Sequence, residues 1–196
     1  PDTADLDPHV HLPSPLPALA AATDRQVRVA VNSKVMKLSS RLIGICQRLQ
    51  KNSAVPVVFS FFPGERGLFF DGLEAAIKSQ IATADVVKYI NYHEFLREVA
   101  KCDLALAAFP FGNTNSTVDT ALLGIPTVAH FGPESPAQSD RQMLHNAGLA
   151  DWLVCRSDEA YYETALDLIE SPERRIAALN GLTRPEIAQN LFSNAT

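Results

Sequence analysis

From Val27 onward, short apolar runs alternate with stretches of helical period, and this alternation leaves few folds open. The runs fall at 27–32 (VRVAVN), 55–61, 85–90 (DVVKYI), 104–108, 126–130 and 153–155. Helical patterns lie between and after them, at 35–50, 72–81, 92–100, 115–123, 137–147 and 158–170, with a turn-rich helix at 172–180. In the first of these, Met36, Leu42, Ile43, Cys46 and Leu49 make the apolar set. Strands alternating with helices predict an α/β fold: a Rossmann-like parallel sheet with helices on both faces. Ligands of such sheets bind beyond the carboxyl ends of the strands. The loops after residues 32, 61, 90, 108 and 130 are therefore where function is expected.

The flanks read differently. Residues 1–24 carry Pro1, Pro8, Pro13, Pro15 and Pro17 with an alanine-rich run, and read as a linker or N-terminal arm. Residues 25–182 read as the domain and 183–196 as a C-terminal tail. The chain starts with proline, so it is expected to be a piece of a longer protein. A net charge of −5 argues against nucleic-acid binding, which needs a basic face. No apolar run approaches the roughly 20 residues of a membrane helix, and no basic cap with an apolar stretch opens the chain. Cys46, Cys102 and Cys155 are far apart and read as buried free thiols of a reducing compartment, so a cytoplasmic location is expected. His9 and His11 read as solvated linker residues. The only Asp-x-Asp, Asp5-Leu6-Asp7, follows no strand, so no metal site is expected.

The most informative loop follows the run at 104–108 and reads FPFGNTNSTVD, from Phe109 to Asp119. Proline and glycine shape a turn. Asn113, Thr114 and Asn115 are all N-cap types, so a helix is expected to start there and aim free N–H groups at the crevice. Such a start suits a phosphate or diphosphate. Asn115 and Asp119 stand four apart and share a helix face. A plain capped helix, with Asp119 only favouring the dipole, fits the spacing equally well.

This string, with the following TALLGIPTVAHFGPE, resembles the nucleotide-binding core of family 41 glycosyltransferases. The nearest likeness is to the bacterial cytoplasmic N-glycosyltransferases of high-molecular-weight adhesins, with O-GlcNAc transferase more distant. The similarity extends through VMKL (35–38), YHEFLREVAKCDLAL (92–106), GLADWLV (148–154) and DEAYYETALDLIESPERR (158–175), and so covers most of 27–180.

The resemblance implies the C-terminal half of a GT-B fold, a nucleotide-sugar-binding domain at 25–182, and a UDP-sugar donor with no further cofactor. Lys37 matches a lysine that contacts the donor diphosphate and would offset charge on the leaving group. Asn115 matches a residue near the phosphates, and Asp119 one that binds the ribose hydroxyls. Thr114 and Ser116 offer donors nearby, and Asn113 is counted with them. The loop after 85–90 resembles the segment that holds uracil, with Tyr89 and His93 as stacking candidates. Tyr92 is a third local candidate, or else a core residue opening the next helix. Two departures stand out. The segment after Gly132-Pro133-Glu134 reads SPAQSD where the adhesin enzymes carry a histidine-containing acidic stretch, and Ser116 stands where relatives favour glycine.

The implied function is the UDP-sugar-binding domain of an inverting, metal-independent glycosyltransferase. It would pass a hexose to a protein acceptor held by a preceding half. The alternatives are a degenerate nucleotide-binding or scaffold module without turnover, or a half of a UDP-sugar 2-epimerase.

Overall fold

The computed structural model describes residues 26–193. The arm read at 1–24, with Asp5, Asp7, His9 and His11, lies outside the described residues. The strands are β1 (Val27–Val31), β2 (Val57–Phe61), β3 (Ala84–Val86), β4 (Leu104–Leu106), β5 (Thr127–His130) and β6 (Val154–Cys155). They form one parallel sheet in the order β3-β2-β1-β4-β5-β6. Parallel strands are covered on both faces and so read as continuous apolar runs rather than alternating ones. Val29, Ala30, Val31, Phe59, Phe61, Leu104 and Leu106 are accordingly buried. Chain order reverses between β1 and β4, and the crevice for ligands in doubly wound sheets opens at such a point.

The helices are α1 (Ser40–Asn52), α2 (Gly67–Gln80), α3 (Tyr92–Val99), α4 (Asn115–Leu122), α5 (Ser135–Asn146), α6 (Asp158–Glu170), α7 (Pro172–Ala177) and α8 (Arg184–Ser193). The main core gathers side chains of α1, α2 and α6 with the sheet, Tyr161 of α6 at its centre. A smaller core joins Leu96 and Val99 of α3 to Ala30, Phe62, Ala105, Leu123 and Ile125. Helix α1 packs on α6, and Arg48 donates two hydrogen bonds to the Glu159 carboxylate across that seam, at 2.9 and 2.8 Å. Among the described residues no helix is long and apolar enough to cross a membrane.

Three expectations change. The pattern at 35–50 is not one helix: residues 35–37 make a single 3₁₀ turn, Leu38 leaves helical geometry and Ser39 is extended. Ser39 then caps α1 by accepting from the Leu42 N–H, which starts the helix at Ser40. Met36 therefore leaves the apolar stripe and is 82% exposed. The run read as extended at 85–90 is strand only to Val86, after which the Val87 N–H still donates to the Phe61 carbonyl at 2.9 Å. The stretch read as a tail contains α8, which packs against α4 and α5 and buries Ile187. Its start is fixed by Thr183, whose N–H and hydroxyl both donate to Glu186 Oε2 at 2.7 Å.

Candidate functional site

The turn after β4 is held from several sides. Lys37 Nζ donates to the Gly112 carbonyl at 2.8 Å. The Ser33 hydroxyl, just beyond β1, donates to Asn113 Oδ1 at 2.8 Å in a buried contact. Asp140 of α5 accepts from the N–H groups of Asn113 (2.7 Å) and Thr114 (2.6 Å) and from the Thr117 hydroxyl (2.9 Å). Thr114 is the N-cap of α4 with φ 48°, backbone that favours glycine, and its own side chain makes no cap bond. Its hydroxyl pairs instead with Ser139 at 2.9 Å. A carboxylate from a distant helix thus does the capping. Burial pushes the Asp140 carboxyl above the ordinary aspartate range, and the three donated bonds and the Lys37 charge pull it back.

This corrects one part of the expected anion site. The N–H groups of Asn113 and Thr114 are already taken by Asp140, which also offsets the positive end of the helix. The N–H groups left at the start of α4 belong to Asn115 and Ser116, the latter only weakly engaged by the Asn113 carbonyl at 3.4 Å.

Beside the turn lies a cleft of about 300 Å³ at the carboxyl ends of β1, β2 and β3. Ser116 and Asp119 of α4 line one side. Phe62, Val87, Tyr89, Tyr92 and Phe95 give it apolar walls, and Lys34 and Lys88 stand at it as cations. The Tyr92 hydroxyl donates to Asp119 Oδ1 at 2.6 Å. Burial raises the Asp119 carboxyl above its usual value, and the Tyr92 bond lowers it again. The Tyr92 phenol is pushed up by burial and then by the same bond. Gly64 lines part of the rim at φ 71°, a backbone that favours glycine; a Cβ there would only push aside the flexible end of the Lys34 side chain.

The residues expected from sequence sort into groups. Ser116, Asp119, Tyr89 and Tyr92 meet in the cleft. Tyr89 is half exposed, with the Arg66 guanidinium 5.6 Å from its ring centre. Lys37, Asn113 and Thr114 belong to the turn. Asn115 is exposed and outside the cleft lining, as is His93, whose ring centre lies 6.3 Å from that of Tyr92. His130 stacks on Phe109 at 4.7 Å and lies 3.2 Å from Asp158, which Arg41 also binds.

Sequence reasoning missed Asn32, Lys34, Phe62 and Phe95. Asn32 was the most findable, a polar residue directly after a buried strand at the reversal of the sheet. Only 6% exposed, it has no hydrogen-bond partner for either Nδ2 or Oδ1 among the described residues. Such a group costs about 1–3 kcal/mol when left unpaired.

No family model matches the chain. Over 177 residues it is 29% identical to a UDP-glucose:protein N-beta-glucosyltransferase of Actinobacillus pleuropneumoniae, covering 89% of this chain and 28% of that protein. The chain thus spans little more than a quarter of that relative's length. Among solved structures it is similar to a K341M mutant of Thermobaculum terrenum O-GlcNAc transferase, with TM-score 0.70 and 18% identity over 89% of this chain and 33% of that one. It is also similar to WaaG, a glycosyltransferase involved in lipopolysaccharide biosynthesis, with TM-score 0.61 and 14% identity over 95% and 49%. Sequence and fold agree: the chain resembles the C-terminal half of family 41 glycosyltransferases and has the Rossmann-like fold of GT-B enzymes.

Proposed function

We propose that the cleft binds a UDP-sugar and serves as the donor site of an inverting protein glycosyltransferase. The observation that carries this reading is the meeting of Ser116 and Asp119 with an aromatic-walled cleft at the point where sheet order reverses. Asp119, held by Tyr92, is placed to accept from ribose hydroxyls, and the apolar walls suit a flat base. The diphosphate would lie toward the Asn115 and Ser116 N–H groups, with Lys37 beside the turn to offset charge on the leaving group. Those groups supply the stabilisation without a metal or further cofactor. The hexose goes to a protein acceptor bound by a separate half of a longer cytoplasmic enzyme. Within this reading the domain is 25–182, with α8 packed on it.

Calorimetry with UDP and ADP, each with and without EDTA, tests the reading. UDP is expected to bind more tightly than ADP and to be indifferent to EDTA. At a hundred times its dissociation constant it should stabilise the chain by about 2.7 kcal/mol. Equal or tighter ADP binding sinks the base assignment. Loss of UDP binding in EDTA sinks the metal-free one.

A further inference from the structure

A second cavity, of about 320 Å³, shares no lining residue with the donor cleft. Arg141 and His145 of α5, Val154 of β6, and Phe131, Asp151 and Arg156 line it. The Arg141 and Arg156 guanidiniums each lie 5.0 Å from the Phe131 ring centre, so they are at most twice that distance apart. Both side chains are exposed, and neither guanidinium has a hydrogen-bond or ion-pair partner among the described residues. Elsewhere the fold pairs such groups: Arg41 with Asp158, Arg48 with Glu159 and Arg174 with Asp167. The Asp151 carboxylate also lines the cavity, but its ion-pair contact is His145, at 3.8 Å. Two like charges are thus gathered on one aromatic ring, in a chain of net charge −5, with no acid of the chain set against them.

The donors present decide which anion fits. Small phosphate sites are built on backbone N–H groups at helix starts, and none of these lining residues opens an α-helix. The donors here are guanidinium forks, which match a planar carboxylate bidentately. Exposed arginines stacked on an aromatic ring are also the residue types enriched where proteins meet.

Place decides which carboxylate. Phe131 directly follows β5 and Arg156 directly follows β6, so both stand at the carboxyl ends of adjacent strands. The turn after β4, next to which the diphosphate is placed, belongs to the strand beside β5. Neighbouring strands lie about 4.8 Å apart, so roughly 10 Å separates the ends of β4 and β6, which an extended polypeptide covers in about three residues. We propose that Arg141 and Arg156, held on Phe131, dock acidic side chains of the polypeptide that accepts the sugar, a role that rests on the donor-site reading above.

The test titrates the 196-residue chain with a peptide of three consecutive glutamates and with its glutamine counterpart, followed by NMR at low salt. The glutamate peptide is expected to shift the Arg141 and Arg156 side-chain N–H signals. It should bind about tenfold or more tightly than the glutamine peptide. Arg141→Gln and Arg156→Gln should each weaken it about threefold, and the double variant about tenfold, as for exposed ion pairs. Both residues are exposed and outside the donor cleft, so melting temperature and UDP affinity should not change. Equal binding of the two peptides overturns the proposal, as does a double variant that binds like the parent. So does inorganic phosphate that displaces the peptide at equal concentration, which marks a site for small free anions. None of these outcomes touches UDP binding by the parent. A parent that fails to bind UDP strikes the donor reading, and the acceptor role with it.

Discussion

The turn after β4 and the cleft beside it share helix α4, yet they treat their polar groups in opposite ways. In the turn, the N–H groups of Asn113 and Thr114, the Asn113 amide oxygen and the Thr117 hydroxyl all find partners inside the protein. Lining the cleft, Asn32 has a buried amide with no partner among the described residues, and Asp119 is held by one hydroxyl in a setting that raises its carboxyl. A segment whose groups satisfy one another is built to hold shape. A segment whose groups wait is built to hold something else. The turn therefore positions α4, and α4 presents Ser116 and Asp119 to the cleft.

The contrast breaks most visibly at Asp140. Asp140→Ala leaves two N–H groups and a hydroxyl without their acceptor, and frees Thr114 from the bond that holds its left-handed backbone. We expect a loss of about 3–5 kcal/mol in urea unfolding, or roughly 10 °C in melting temperature. A loss under about 1 kcal/mol would mean that the turn holds itself and the contrast is mistaken.

Lys37 sharpens the contrast, since it bonds the turn but is assigned to the ligand. Lys37→Ala should weaken UDP binding about ten- to a hundredfold, for a charged hydrogen bond worth roughly 1.5–3 kcal/mol. Uridine should be nearly unaffected. Equal losses for UDP and uridine would move Lys37 wholly to the structural side, as an anchor of the Gly112 carbonyl.

Tyr92→Phe gives the smallest effect, about 1 kcal/mol in stability, and acts mainly on pH dependence. The Asp119 carboxyl is raised by burial, so its charged form costs folding energy at neutral pH. That cost is relieved as pH falls through the raised value, so this group favours the fold on the acid side. Ribose binding needs the charged form and is lost over the same range. The Tyr92 hydroxyl lowers the Asp119 value, so its removal should shift the acid loss of UDP affinity to higher pH. Titrating UDP across the acid range in both proteins checks this. An unchanged profile would show that Asp119 does not govern the ribose contact.

What could be read beforehand follows the range of the interactions. The sheet and the helix after FGNTN were legible because strand runs and N-cap types are local signals. The expected pair on α4 was Asn115 with Asp119, four apart. The cleft lining holds Ser116 with Asp119, three apart, and leaves Asn115 exposed outside it. Asp140 lies more than twenty residues beyond the groups it caps, within a segment that looked like a departure from the family pattern, so nothing local marks it. Asn32 was read as the last residue of a strand. Only the folded sheet, by pairing β1 with both β2 and β4, shows that its amide is covered and left unpaired.

The three cysteines give the fold an internal gauge. Cys46, Cys102 and Cys155 are all free and buried, and burial raises each thiol, Cys102 to about 12. Thiolates react and thiols do not, so in the closed protein all three are inert to alkylation at neutral pH. They sit in separate places: Cys46 in α1, Cys102 in the smaller core beside α3, and Cys155 in the edge strand β6. Modification at each sulfur therefore records how often that part of the sheet opens. The order in which they are lost to a labelling reagent is a map of breathing that needs no engineered probe.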